Sequence, residues 1–121
     1  MTKKQVRTAF RTAVFRRDRY RCAMCGRFGK DRQGGDAHEA YRPATLSVEL
    51  ADLDAHHITD RNDMPNGGYV AENGISLCAP CHLLAEIFHD TGTPHPGFSP
   101  DDLYAKIDSS FEKAQRASLK L

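Results

Sequence analysis

Asn73-Gly74-Ile75-Ser76-Leu77-Cys78-Ala79-Pro80-Cys81-His82 is the stretch on which the fold turns. It opens with a turn signal at Asn73-Gly74, leads through a short apolar run into a Cys-x-x-Cys pair, and ends on a histidine at the start of a helical pattern. Leu84, Ile87 and Phe88 fall on one side of that pattern, which predicts a helix over about 81–89. A second pair, Cys22-Ala23-Met24-Cys25, lies upstream and accounts for the remaining cysteines. Two such knuckles supply four thiolates, the donor set of a closed tetrahedral zinc site. Four protein ligands leave no position for water or substrate, so this zinc is a staple and not a catalyst. A redox role needs only one Cys-x-x-Cys and leaves the second unexplained. Two disulfides suit a secreted chain, but the basic N-terminus MTKKQVRTAF lacks the apolar stretch of a signal segment. A cytoplasmic location is expected.

The knuckles are separated by 52 residues, far more than the roughly 15–20 of a simple zinc ribbon. The insertion carries Asp54-Ala55-His56-His57-Ile58. Adjacent residues of a strand point to opposite faces, so His56 and His57 cannot share one role. One can ligate a metal while the other approaches a substrate from a different side. The zinc knuckle fixes His82, Glu86 follows four residues later on the same helical face, and His89 lies seven residues on. His38 and His95 have no such company and read as structural or exposed.

The strings RCAMCG, DAHHI and NGISLCAPCH together resemble the zinc-knuckle form of the HNH nucleases over roughly residues 14–90. The separations of sixteen residues from His57 to Asn73 and nine from Asn73 to His82 are similar to the family's. The resemblance implies an α+β fold: a small ββα-metal (His-Me finger) core, stapled by the Cys₄ zinc and flanked by N- and C-terminal helices. It implies that His56 and His82 hold one divalent metal and that His57 is the general base. Asn73 would hold the loop between the strands and help orient His57. Glu86 stands where the family often has a third ligand, and there the usual residue is histidine. The implied activity is metal-dependent endonucleolytic hydrolysis of DNA, most simply double-stranded. The residue types suit it: a neutral imidazole can take a proton from water near neutral pH, and a metal can act as Lewis acid at the phosphate. Imidazole donors suit Zn²⁺, Ni²⁺, Co²⁺ or Mn²⁺, and Mg²⁺ less well.

The rest of the sequence frames this core. A chain of 121 residues, 40% hydrophobic and 27% charged with no tryptophan, fits one domain (1–121) whose thin core needs a staple. No apolar run approaches the roughly 20 residues of a membrane span. The net charge of +1 hides an asymmetry: residues 1–21 carry eight basic groups and one acid, +7, and the remainder nine basic and fifteen acidic, −6. A basic end on an acidic body suggests a polyanionic partner, with Arg7, Arg11, Arg16 and Arg17 as the candidate contacts. The N-terminal helix is predicted over about 5–17, with Val6, Ala9, Phe10, Ala13, Val14 and Arg17 on one face. Residues 26–43 read as a long Gly-rich loop. Alternation from Leu46 through Val48 and Leu50, resuming toward Ile58, reads as a strand, and Tyr69-Val70 starts or flanks the next. A final helix over about 100–116 is predicted from Ser99, Pro100 and Asp102, with Leu103, Ile107, Phe111 and Ala114 as its stripe. Two non-enzymatic readings share these features: a zinc-stapled nucleic-acid-binding module, and a zinc-dependent domain that docks an acidic protein. Neither explains why the histidine pair, Asn73 and His82 occur together.

Overall fold

The N-terminal helix begins at a capping box, in which the Thr2 hydroxyl accepts from Gln5 N–H and the Gln5 side chain accepts from Thr2 N–H. The computed structural model describes residues 1–34 and 50–121. In chain order its elements are α1 (Lys3–Arg17), β1 (Gly29–Asp31), β2 (Ala51–His57), β3 (Gly74–Cys78), α2 (Ala79–Thr91), α3 (Pro100–Lys106) and α4 (Phe111–Leu119). The fold is α+β, with a three-stranded sheet in the order β1-β2-β3. β1 runs parallel to β2, and β2 antiparallel to β3 with Leu53 opposite Cys78, His56 opposite Ile75 and His57 opposite Gly74. Three short 3₁₀ turns fill the connection between β2 and β3. β3 is buried along its whole length, and α2 follows it directly, capped at its far end by Gly92 in the left-handed conformation (φ 79°). Two strands and a helix therefore form one continuous hairpin-and-helix unit.

Core residues from every layer meet in one cluster: Phe15, Leu53, Ile58, Ile75, Leu77, Ala85, Leu103, Tyr104 and Ala114 are all buried. Gly74 sets how closely α1 can approach the sheet. A Cβ there would lie 2.4 Å from Val14 Cγ2 and 2.7 Å from Phe10. Gly74→Ala should therefore push α1 off the sheet at a cost of about 1–3 kcal/mol, read as a drop of several degrees in the thermal midpoint. An unchanged midpoint would mean that α1 is not held at this distance.

Three expectations are corrected, and part of a fourth lies outside the described residues. The 26–43 stretch is not loop throughout: Gly29–Asp31 pairs with β2. The alternation at Leu46 and Val48 lies outside the described residues, and β2 starts at Ala51. Tyr69-Val70 lies among the 3₁₀ turns and does not start β3. The final helix is two helices. Asp108 adopts φ 55°, which a helix cannot continue through, and the Ser110 hydroxyl caps α4 by accepting from Lys113 N–H. The break turns Phe111 outward (38% exposed) while Leu103 and Ala114 stay buried. On α1 the buried residues are Phe10, Val14 and Phe15, and Ala9 and Ala13 are exposed. Among the described residues no helix is long and apolar enough to cross a membrane.

Candidate metal centre

The first knuckle is a tight turn in which Gly26 N–H donates to Cys22 carbonyl at 2.8 Å and Cys22 N–H to Arg27 carbonyl at 2.8 Å. Gly26 sits at φ 81°, which glycine adopts without strain. Ala23 N–H donates to Ser76 carbonyl at 2.9 Å, tying this turn to β3. The second knuckle follows from the strand-to-helix junction: Cys78 ends β3 and caps α2, and Cys81 lies in the first helical turn. The four sulfurs gather within 4.8 Å of one another, all as free thiols. Cys25 Sγ and Cys78 Sγ stand 3.6 Å apart. That is far beyond a disulfide bond of about 2.05 Å and close to the ~3.8 Å edge of a tetrahedron of sulfurs around zinc. Cys22, Cys78 and Cys81 are buried, and Cys25 is exposed.

A second cluster gathers on β2 and α2. Nitrogens of His56 and His82 and a carboxylate oxygen of Glu86 lie within 4.8 Å of one another. Glu86 Oε1 is 3.1 Å from His56 Nδ1 and 3.1 Å from His82 Nε2. Ligands held 2.0–2.1 Å from a common ion are separated by about 3 Å, so the spacing fits. His56 is buried (3% exposed), and among the described residues neither of its ring nitrogens has an aligned hydrogen-bond partner. An enclosed imidazole with no aligned hydrogen bond is costly unless something occupies its lone pair. Burial pushes its pKa down, which keeps it neutral as a ligand must be. The close approach of His56 holds the Glu86 carboxyl down to about 2, so Glu86 is an anion. His82 shifts upward, chiefly through Asp54, whose Oδ2 lies 3.4 Å from His82 Nδ1.

His57 faces the other side of β2. Its ring stacks on Phe10 of α1 (centroids 4.5 Å, 27°) and meets the edge of Tyr69 (4.7 Å, 87°). Nε2 has no hydrogen-bond partner among the described residues. Burial pushes the imidazole down to about 4, and the Arg61 charge acts in the same direction. His89 Nε2 lies 3.1 Å from the His57 carbonyl. A cleft of about 270 Å³ is lined by His56, His57, Arg61, Tyr69, His82, Glu86 and others, so the two histidine faces open into one space.

Asn73 is entirely buried and does not reach that cleft. Its Oδ1 accepts from Thr59 N–H (3.0 Å) and Tyr104 Oη–H (2.7 Å), and its Nδ2 donates to the carbonyls of Thr59 (3.0 Å) and Gly68 (3.2 Å). Its own carbonyl accepts from Ile58 N–H at 2.9 Å. Asn73 thus clamps the chain immediately after His57, in the connection between β2 and β3. Tyr104, on α3, escaped the sequence reading because nothing in its neighbourhood distinguishes it from an ordinary core tyrosine.

The four arginines of α1 divide. Arg7 and Arg16 are exposed, and Arg7 reaches the Tyr69 hydroxyl. Arg11 Nε donates to Asp31 at 3.1 Å. Arg17 serves the fold: it donates to the carbonyls of Ala71 and Gly74 at 2.6 Å each and pairs with Asp18, which itself accepts from Ser76 N–H. Arg17 therefore braces α1 against the start of β3.

A hairpin and helix gather two histidines and a carboxylate at one point, beside a Cys₄ cluster, so this small α+β protein carries two groups that could hold a metal ion. Residues 22–86 match the HNH endonuclease family, 65 of 121 residues, and the chain belongs to that family. Membership brings a nuclease activity and a nucleic-acid substrate in general. No curated protein and no solved structure matches the chain.

Proposed function

We propose that the protein is a DNA endonuclease in which His57 activates water and His56, His82 and Glu86 hold one divalent metal. The observation that carries this reading is the shared cleft: the neutral His57 imidazole lines it together with three convergent metal donors. His57, unprotonated at neutral pH, takes a proton from water as the water oxygen attacks phosphorus and one P–O ester bond breaks. Phe10 and Tyr69 fix the ring plane, and Asn73 fixes the backbone just beyond it. Glu86 and the two neutral histidines suit Zn²⁺, Ni²⁺, Co²⁺ or Mn²⁺ better than Mg²⁺. When bound, the ion supplies Lewis acidity at the scissile phosphate. The four cysteines hold a structural Zn²⁺. Incubating purified protein with supercoiled plasmid and a panel of divalent metals tests the reading; no nicking with any metal would overturn it.

Duplex DNA is proposed to lie along α1. A second concavity, lined by Lys3, Val6, Arg7, Asn66 and Tyr69, adjoins the cleft through Tyr69, and a third continues from Lys3 and Arg7 to Lys4 and Arg11. Replacing Arg7, Arg11 and Arg16 with Gln should weaken DNA affinity and flatten its salt dependence, by about 0.9 in log–log slope for each phosphate no longer neutralised. Arg17→Gln should instead lower stability. Parental affinity of the triple variant at every salt concentration would remove α1 as the docking element.

A further inference from the structure

We infer that Asp54 is a positioning residue of the metal centre: it holds His82 by the ring nitrogen that faces away from the metal, and Arg32 in turn holds Asp54. The inference rests on the proposed metal role of His56, His82 and Glu86. Asp54 lies two residues before His56 on β2, and so on the same face of the sheet. Its Oδ2 stands 3.4 Å from His82 Nδ1, while its Oδ1 accepts from Arg32 Nε at 2.8 Å. His82 Nε2 stands 3.1 Å from Glu86 Oε1. The imidazole is thus bracketed by two carboxylates of different standing. Glu86 also meets His56, and belongs to the convergent set; Asp54 meets only the far side of the ring and lies outside that set.

A ring nitrogen that carries its hydrogen toward a carboxylate leaves the other nitrogen with a free lone pair, in a fixed plane. That fixes the tautomer and raises the basicity of the ligating atom, and loss of such a partner typically weakens metal binding 10–100-fold. The 3.4 Å separation is an ion-pair distance, long for a hydrogen bond. Asp54 therefore acts by orienting the His82 ring, and metal affinity depends on that orientation. Asp54 is part-buried and Arg32 more than half exposed (side-chain exposures 16% and 54%), so the carboxylate carries the effect and the arginine only steadies it. Arg32 directly follows β1, so the short parallel strand brings its guanidinium to Asp54 from the far edge of the sheet.

The test titrates Ni²⁺ into protein already loaded with zinc at the cysteines, by calorimetry, with zinc content and thermal midpoint measured on each variant. Asp54→Ala should bind Ni²⁺ about 10–100-fold more weakly than the parent, with zinc and midpoint retained. Asp54→Asn keeps an acceptor oxygen without the charge, and should fall several-fold, between the two. Parental affinity of Asp54→Ala, or an Asp54→Asn no better than Asp54→Ala, would overturn the inference. Should Asp54→Ala fail to fold, parental affinity of Asp54→Asn would overturn it. A parent that takes up no ion beyond the cysteine zinc would bring down the metal reading itself. A parent that binds, a His82→Ala that does not and an Asp54→Ala that binds normally would remove Asp54 alone.

Discussion

His57→Ala is expected to lose about 10²–10⁴ of the cleavage rate, the usual contribution of a positioned general base, while binding the divalent metal as the parent does. The separation follows from the strand. His56 and His57 are neighbours in β2, yet one faces Glu86 and His82 and the other faces Phe10 and Tyr69. Removing the His57 ring takes nothing from the donor set; His56→Ala takes one of its three members. His56→Ala and His82→Ala should therefore lose metal and activity together. Zinc at the cysteines should survive the His56 change, and the His82 test is less clean because Cys81 adjoins it. Glu86→Gln should weaken metal binding, since a carboxylate at hydrogen-bond distance from both histidines contributes a charge that an amide lacks. The His57 ring also packs between two aromatics, so its loss costs some stability, and a thermal midpoint taken beside the rate separates the two effects. Should His57→Ala cleave at the parental rate, with contaminating nuclease excluded, the proposed base is wrong.

The parts of this site that are legible without coordinates are those whose chemistry is written in short spacings. Cys-x-x-Cys needs only a turn to bring two sulfurs together, and His82 and Glu86 need only a helix to share a face. The opposite facing of His56 and His57 needs only a strand. What escapes depends on partners distant in sequence. Gly29-Lys30-Asp31 has no strand pattern of its own and becomes β1 because β2 pairs with it; a Cβ at Gly29 would sit 2.5 Å from Leu53 Cγ. Arg17 falls on the apolar face of α1 by periodicity, yet its charge alone marks it as a surface group; in the fold it satisfies two carbonyls more than fifty residues away. Asp54 belongs to the DAHHI motif, yet its task appears only once His82 and Arg32 arrive on either side. The break at Asp108-Ser109-Ser110 has a local signal, because short polar side chains compete with helix hydrogen bonds. The apolar stripe running through it masks that signal.

Removing the zinc staple is expected to unfold the chain. Structural zinc contributes an apparent ~10–16 kcal/mol in small zinc-finger peptides, as much as the ~5–15 kcal/mol net stability of a whole domain. Here the first knuckle is tied to the core by buried Tyr20 and Cys22 and by the bond from Ala23 to Ser76. The second knuckle is the hinge from β3 into α2, the helix that carries His82 and Glu86. Without the ion, four thiols are left crowded in a partly buried pocket, and the two segments that meet there are 52 residues apart in sequence. Cys22→Ser and Cys81→Ser should each lose zinc and far-ultraviolet dichroism. Cys25→Ser, at the exposed corner, should do less harm to packing while still lowering zinc affinity. The parent should carry about one tightly held zinc per chain, lost together with the fold in strong chelator. Protein that contains no zinc by elemental analysis and keeps its thermal transition in chelator would show that the cysteines hold no structural zinc. The position of His82 would then have to come from the sheet and α1 alone.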